Sequence, residues 1–233
     1  MRQPISIIVP ALNEGTGLEH TLVSLLPLRQ RGHEVIVVDG GSRDNTLTIA
    51  RRHADRVAMS GAGRALQMNA GAEYAQHEIL LFLHADTLLP PDADQLIHAA
   101  LAPQAARWGR FDLRLDHPHP VYRVIEHSIN WRSHLSGVAT GDQAIFVERK
   151  YFERVGCYDR LPLMEDVTLS KKLLHFARPV RITTPVLSSA RRWEQGGVVR
   201  SVLLMWRLRT AFFFGADPFR LAEQYYPPGR NEA

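Results

Sequence analysis

The chain has 233 residues, 45% of them hydrophobic and 22% charged, which is enough to bury a sizeable core and too apolar for intrinsic disorder. Sixteen Gly and fourteen Pro are ordinary usage, so collagen-like and low-complexity architectures are excluded, and apolar runs break well short of the roughly 18 residues a bilayer crossing needs. The net charge of +4 is mostly arginine, Lys150, Lys171 and Lys172 being the lysines, and without a zinc-finger, recognition-helix or RNA-platform pattern it makes no case for a nucleic-acid partner.

In chain order, Ile5–Val9 is a short β-rich run stopped by Pro10, too short for a secretory signal, and Leu18, Leu22, Leu25 and Leu26 then give helical spacing over 17–28. Glu34–Val38 is the next strand, and Ser42 or Asp44 is placed to cap a helix running to His53. A strand over 56–60, a helix over 64–75 and a strong strand over 79–83 follow. This alternation predicts an α/β fold with a mostly parallel central sheet covered by helices on both faces. The second half is less regular: strands over 107–115, 143–147 and 181–183, helices over 121–135 and 167–176, and a last helix over 197–214. No repeat or linker divides the chain, so the expectation is one domain over 1–190 with 191–233 as an appendage. Cys157 has no partner for an internal disulfide, and a cytoplasmic location is expected.

Ligands of open α/β sheets gather beyond the carboxyl ends of the strands, where loops and helix N-termini converge. Those ends are polar here: Pro10-Ala11-Leu12-Asn13-Glu14, Asp39-Gly40-Gly41-Ser42-Arg43-Asp44 and His84-Ala85-Asp86. Singly, each is ordinary turn chemistry; together at one edge they offer carboxylates to ribose hydroxyls, a base edge and a divalent cation. Asp86 is the candidate ligand for Mg²⁺ or Mn²⁺, since Asp92 makes the better cap for the helix after Pro90-Pro91. Glu165-Asp166 precedes an apolar helix, where simple capping and a general base are both open readings. The eleven histidines show no recognisable ligand spacing.

These segments, in this order and spacing and together with Gly141-Asp142-Gln143, resemble family 2 glycosyltransferases with the GT-A fold over about residues 4–195. More narrowly, His84-Ala85-Asp86 in place of the usual Asp-x-Asp, with Gly-Asp-Gln and Leu163-Met164-Glu165-Asp166-Val167, is similar to the subgroup named for association with arsenosugar biosynthesis. The resemblance implies a single GT-A domain and an inverting, metal-dependent transfer of a sugar from a UDP- or GDP-type donor to a small-molecule or lipid-linked acceptor. It implies that Pro10, Leu12 and Glu14 line the nucleoside pocket, that Asp39 binds the base, and that Arg64 and His84 face the nucleotide. Asp86 would hold the metal, Gly141, Asp142 and Glu165 would border the acceptor, and Asp166 would be the base.

Arg191 and Arg192 follow by a loop in which Gly196-Gly197 suggests mobility; they are either a diphosphate clamp or solvated loop residues. The last helix carries Arg200, Arg207 and Arg209 among apolar residues, so it packs on its own domain or a second copy, or lies at a membrane surface. Two other functions share the nucleotide site: a nucleotidyltransferase, which lacks here the Gly-rich loop and lysine expected for a triphosphate, and a non-catalytic scaffold on a degenerate fold, against which intact Asp86 and Asp166 argue.

Overall fold

The computed structural model describes residues 3–102 and 105–226, apart from the side chains of Arg192 and Gln195. The chain opens with β1 (Ile5–Ala11), whose seven residues are all buried, as a strand covered on both faces requires. The helix expected over 17–28 breaks at Leu25 into α1 (Leu18–Ser24) and α2 (Leu26–Gln30), because Pro27 lacks the N–H that a continuous helix needs. β2 (Glu34–Asp39) leads to α3 (Thr46–His53), where Asn45 holds the cap position without a side-chain hydrogen bond and Asp44 Oδ1 accepts from the Thr46 N–H at 3.0 Å. β3 (Arg56–Met59), α4 (Arg64–Tyr74), β4 (Ile79–Phe82) and the two-residue β5 (Thr87–Leu88) complete the first half, with α5 (Ala93–Leu101) starting after Asp92.

In the second half, β6 (Trp108–Leu115), α6 (Pro120–Ser136) and a 3-10 turn at Gly141–Gln143 precede β7 (Ile145–Glu148) and α7 (Arg149–Arg154). Glu165 and Asp166 form the first turn of α8 (Glu165–Leu173) rather than standing ahead of it. The strand expected at 181–183 is the nine-residue β8 (Val180–Ser188). The 191–192 segment is not a loop: α9 (Arg191–Gly196) runs straight into α10 (Val198–Phe213), and α11 (Pro218–Tyr225) follows a cap in which Asp217 accepts from the Phe219 N–H.

The eight strands form one sheet in the order β3-β2-β1-β4-β7-β6-β8-β5. β1 pairs in parallel with β2 and β4, β2 with β3, and β6 with β8, while β7 and β5 run against their neighbours. Side-chain alternation on β1 divides the core. Ile5, Ile7 and Val9 pack with Leu22, Ile49, Ile97 and Ile129 on one face, and Ile8 packs with Met68, Phe152 and Leu169 on the other. A third cluster joins Leu208 and Leu221 of the C-terminal helices to Leu163, Met164 and Val167, so one face of α10 and α11 packs on the start of α8, whose first turn holds Glu165 and Asp166.

This topology gathers the polar motifs. The carboxyl ends of β1, β2, β4 and β8 lie at one edge, and antiparallel pairing of Phe82 with Ile145 brings the start of β7, just after Gly141–Gln143, to the same edge.

Candidate active site

The first two strand-end loops are laced together by their own side chains. Asn13 N–H donates to Ser42 Oγ at 2.9 Å, Glu14 N–H to Thr46 Oγ1 at 2.8 Å and Gly15 N–H to Asp44 Oδ2 at 2.9 Å. Although burial works against it, the Thr46 and Gly15 hydrogen bonds hold the Asp44 carboxyl below its ordinary range. Ser42, Asp44 and Thr46 therefore fix the loops and leave Glu14 free to point into the edge. Asp39 is fully buried; its Oδ1 accepts from the Gly41 and Ser42 N–H groups, both at 2.8 Å, while Oδ2 is enclosed with no hydrogen-bond partner among the described residues. A buried acceptor without a donor is costly, and the N–H of a nucleobase is a donor of the right kind.

The segment that starts α4 separates by role. Gln67 Nε2 donates to the carbonyls of Ala11 and Val38 at 2.8 and 2.9 Å, tying β1 to β2, and Asn69 exchanges two hydrogen bonds with the backbone of Tyr158. Gly71 must lack a side chain, since a Cβ there would lie 2.4 Å from Ile8. Arg64, the first helical residue, is the chemical member. Its guanidinium is kept charged by the negative charge around it, from Tyr226 foremost when that phenol ionises at high pH and then from Glu165, Tyr225 and Asp86, while burial works against it. Tyr225 and Tyr226, at the end of α11, thus lie within electrostatic reach of Arg64, and no sequence motif marks them.

At the β4 end, Thr21 Oγ1 donates to the Ala85 carbonyl at 2.7 Å and Ser189 N–H to the Asp86 carbonyl at 3.1 Å, which anchors the turn. The half-buried Asp86 carboxylate receives only a long 3.5 Å contact from Thr87 Oγ1. Its electrostatic reach extends to Glu14, Arg64 and Arg191. One open, hard oxygen donor fits a divalent cation that completes its shell from a diphosphate; among the described residues no cluster of three acidic, histidine or cysteine side chains forms a self-sufficient cage. His84 lies against Gly141, where an added Cβ would stand 2.5 Å from Nε2, so the glycine of the Gly-Asp-Gln motif makes room for the imidazole.

On the other side of the edge, Asp166 accepts from the Gly141 N–H at 2.9 Å and from the Val167 N–H at 2.7 Å. Asp142 has its Oδ1 enclosed without a hydrogen bond, and burial pushes its carboxyl up against the pull of Arg132. Glu165 is buried and pushed up to about 7, by desolvation first and the Asp166 charge second, with Arg64 opposing. Of the four non-glycine residues with positive φ among the described residues, Asn13 (53°), Ala144 (47°) and Met164 (68°) adjoin these motifs. Such conformations cost on the order of 1–3 kcal/mol each and cluster at sites that need a set geometry.

Arg191 closes the edge. Its Nη2 donates to Glu14 Oε2 at 2.9 Å and its Nη1 to Thr16 Oγ1 at 3.2 Å, a contact across 177 positions that the sequence does not announce. It is ion-paired and helical, not a solvated loop arginine, and the Arg192 side chain lies outside the described residues. Pro10 and Leu12 stand on the first strand end beside Glu14, Pro10 buried and Leu12 exposed.

The edge therefore joins a buried carboxylate with an unpaired oxygen, Asp39, the open carboxylate of Asp86, the arginines Arg64 and Arg191, and a pair of acids in the first turn of α8. The family model of glycosyl transferase family 2 matches residues 6–151, and the chain belongs to that family, with a single GT-A α/β domain. It is 32% identical over 133 residues to the 4,4'-diaponeurosporenoate glycosyltransferase of Staphylococcus haemolyticus, a match covering 54% of this chain and 35% of that one. Among solved structures, S. aureus TarS 1–349 in complex with UDP-GlcNAc superposes with a TM-score of 0.65 at 18% identity, over 80% of this chain and 58% of that one. The mannosyltransferase PcManGT of Pyrobaculum calidifontis, in complex with GDP-Man and Mn²⁺, gives 0.61 at 23%, over 91% and 61%. The chain thus spans about a third of the curated relative.

Proposed function

We propose that the enzyme transfers a sugar from a UDP- or GDP-type donor to an acceptor hydroxyl with inversion, by a single displacement. The observation that carries this is the division of one sheet edge into a nucleotide side (Pro10, Leu12, Glu14, Asp39, Arg64, His84, Asp86) and an acid pair, Glu165-Asp166, opposite it. Asp39 Oδ2 takes a base N–H, and Asp86 is the residue that would hold Mg²⁺ or Mn²⁺, whose chemistry is to offset charge on the departing diphosphate. Gly141, Asp142 and Glu165 border the acceptor. Asp166, aimed by two backbone N–H groups, takes the proton from its hydroxyl. Likeness to the arsenosugar-associated subgroup rests on His84-Ala85-Asp86, Gly141-Asp142-Gln143 and Leu163-Met164-Glu165-Asp166-Val167, and the His84 imidazole lies against Gly141. A panel of nucleoside diphosphates and nucleotide sugars, each with and without Mn²⁺, tests the donor class by thermal shift; no stabilisation by any of them would sink the reading.

Arg191 and Arg192 would grip the diphosphate, Arg191 exchanging Glu14 for phosphate oxygens. Replacing both with alanine should weaken a nucleoside diphosphate and the intact donor by on the order of 1.5–3 kcal/mol per lost charge-assisted hydrogen bond while sparing the nucleoside. A uniform loss across all three ligands would assign the pair to holding the loop instead.

The outer face of α10 supports a peripheral contact with an anionic membrane surface. Val199, Leu203, Trp206 and Phe213 are 65–73% exposed and fall within roughly 80° of arc at the ~100° per residue of a helix, with Arg200 and Arg207 on one flank and Arg209 on the other. A second copy is disfavoured, because twofold pairing would bring these arginines together on a helix that carries no acid. Binding to phosphatidylglycerol vesicles but not to neutral ones, lost in Leu203→Ser with Trp206→Ser, is the expected result. A dimer that the same variant dissolves would overturn it.

A further inference from the structure

Between α6, α8 and α10 lies a cleft of about 190 Å³ that the motifs reach only through the apolar Met164 and Val167. Three cations line it, Arg132 of α6, Lys171 of α8 and Arg209 of α10, and the walls between them are apolar, with Met164, Phe212 and Phe213. Arg110 and Arg181, by contrast, are both paired on Asp112, at 2.6 and 2.7 Å. These three make no hydrogen bond through their side chains and no ion pair among the described residues. Arg132 Nε is enclosed without an acceptor, and Lys171 touches only the rings of Phe212 and Phe213, at 5.5 and 5.9 Å. Desolvation first, and the neighbouring Arg209 charge next, bring the Arg132 guanidinium down to about 10. Asp142 and Asp166 attract Arg132 from the reaction side, two acids against the three cations, so the cleft keeps an excess of positive charge.

The cleft also has a definite relation to the reacting centre. Met164 is the residue immediately before Glu165-Asp166, and Arg132 lies within the electrostatic reach of both Asp142 and Asp166. An anion seated among the arginines stands beside the base and on the acceptor side of the edge, away from the Asp39 pocket. Guanidinium groups match the oxygens of a phosphate, and the apolar walls suit the carbon skeleton that follows it. We propose that this cleft is the anion subsite for the acceptor, taking the phosphate of a phosphorylated acceptor whose free hydroxyl is presented to Asp166. The inference rests on the glycosyltransferase reading of the edge and names the acceptor's chemical class. Phe213 belongs both to the cleft and to the exposed stripe of α10, so the phosphate has two sources, a soluble phosphomonoester or a lipid headgroup.

The test uses inorganic phosphate, titrated calorimetrically at constant ionic strength into the protein saturated with a nucleoside diphosphate and Mn²⁺. Phosphate should bind, and Arg132→Gln with Arg209→Gln should weaken it at least tenfold while the nucleoside diphosphate affinity stays within twofold. Arg132→Lys with Arg209→Lys should recover part of the loss, and the exposed Lys171→Ala, which leaves the fold alone, should give a smaller one. Equal phosphate affinity in wild type and the double glutamine variant, or equal competition by chloride, would overturn the proposal. Loss of nucleoside diphosphate binding with arginine-dependent phosphate binding intact would count against the donor side alone. Phosphatidylcholine vesicles doped with phosphatidic acid separate the sources: sedimentation that needs Arg132 and Arg209 assigns a lipid phosphate, and phosphate binding without it assigns a soluble acceptor.

Discussion

Asp166→Asn should lower transfer by about a hundred- to ten-thousand-fold, the range of a lost general base, while donor binding barely changes. The asparagine keeps one acceptor oxygen for either the Gly141 or the Val167 N–H, loses the other bond and takes no proton, so the side chain stays in place and the chemistry is lost. Glu165→Gln is the contrast. If transfer tracks Glu165 and persists in Asp166→Asn, the buried neighbour is the base. Glu165 also has a signature of its own. Because the folded protein holds its proton up to about 7 and the unfolded chain releases it near 4.5, the folded state binds more protons between these values. Stability therefore falls as pH rises from 4.5 to 7, and Glu165→Gln should flatten that slope in thermal melts at pH 5 and pH 8.

Asp86→Asn should abolish the coupling between Mn²⁺ and nucleoside diphosphate. With one open carboxylate, the apo protein binds the cation weakly and the diphosphate supplies the missing oxygens, so each ligand raises the affinity for the other by the same factor. Calorimetry of either ligand with and without the other measures that factor. It should be large in the wild type and about one in the variant, whose carboxamide is a much weaker ligand. Unchanged coupling would place the cation elsewhere. Nucleoside binding, which draws on Asp39, should be the same in both proteins.

Strands β1, β2 and β4 were legible because a strand buried on both faces reads as an unbroken apolar run, and their polar ends marked the edge. The two residues of β5 were not, since two residues have no period, and α7 was missed because Arg149–Arg154 shows no apolar stripe. α11 was readable in principle from Asp217-Pro218, an N-cap followed by proline at the first helical position. Within the site, motif residues divided in a way spacing does not reveal: Gln67 and Asn69 serve the backbone, whereas Arg64 faces the edge. Arg132, Arg209, Tyr225 and Tyr226 had no signal, because their placement depends on how distant helices pack.

The Arg191–Glu14 contact bears on the order in which the molecule assembles. Closing a loop of 177 residues carries a large entropic cost, so this tie forms only after the intervening sheet has brought its ends together. The nucleotide edge is thus among the last features to mature on a nascent or refolding chain, after the hydrophobic layers are in place. A chain released or cut before residue 191 would still contain every strand of the described residues, yet it would lack the arginine that pairs with Glu14. Competence to bind a nucleotide would therefore trail the appearance of secondary structure, and the two could be timed separately in the same refolding experiment.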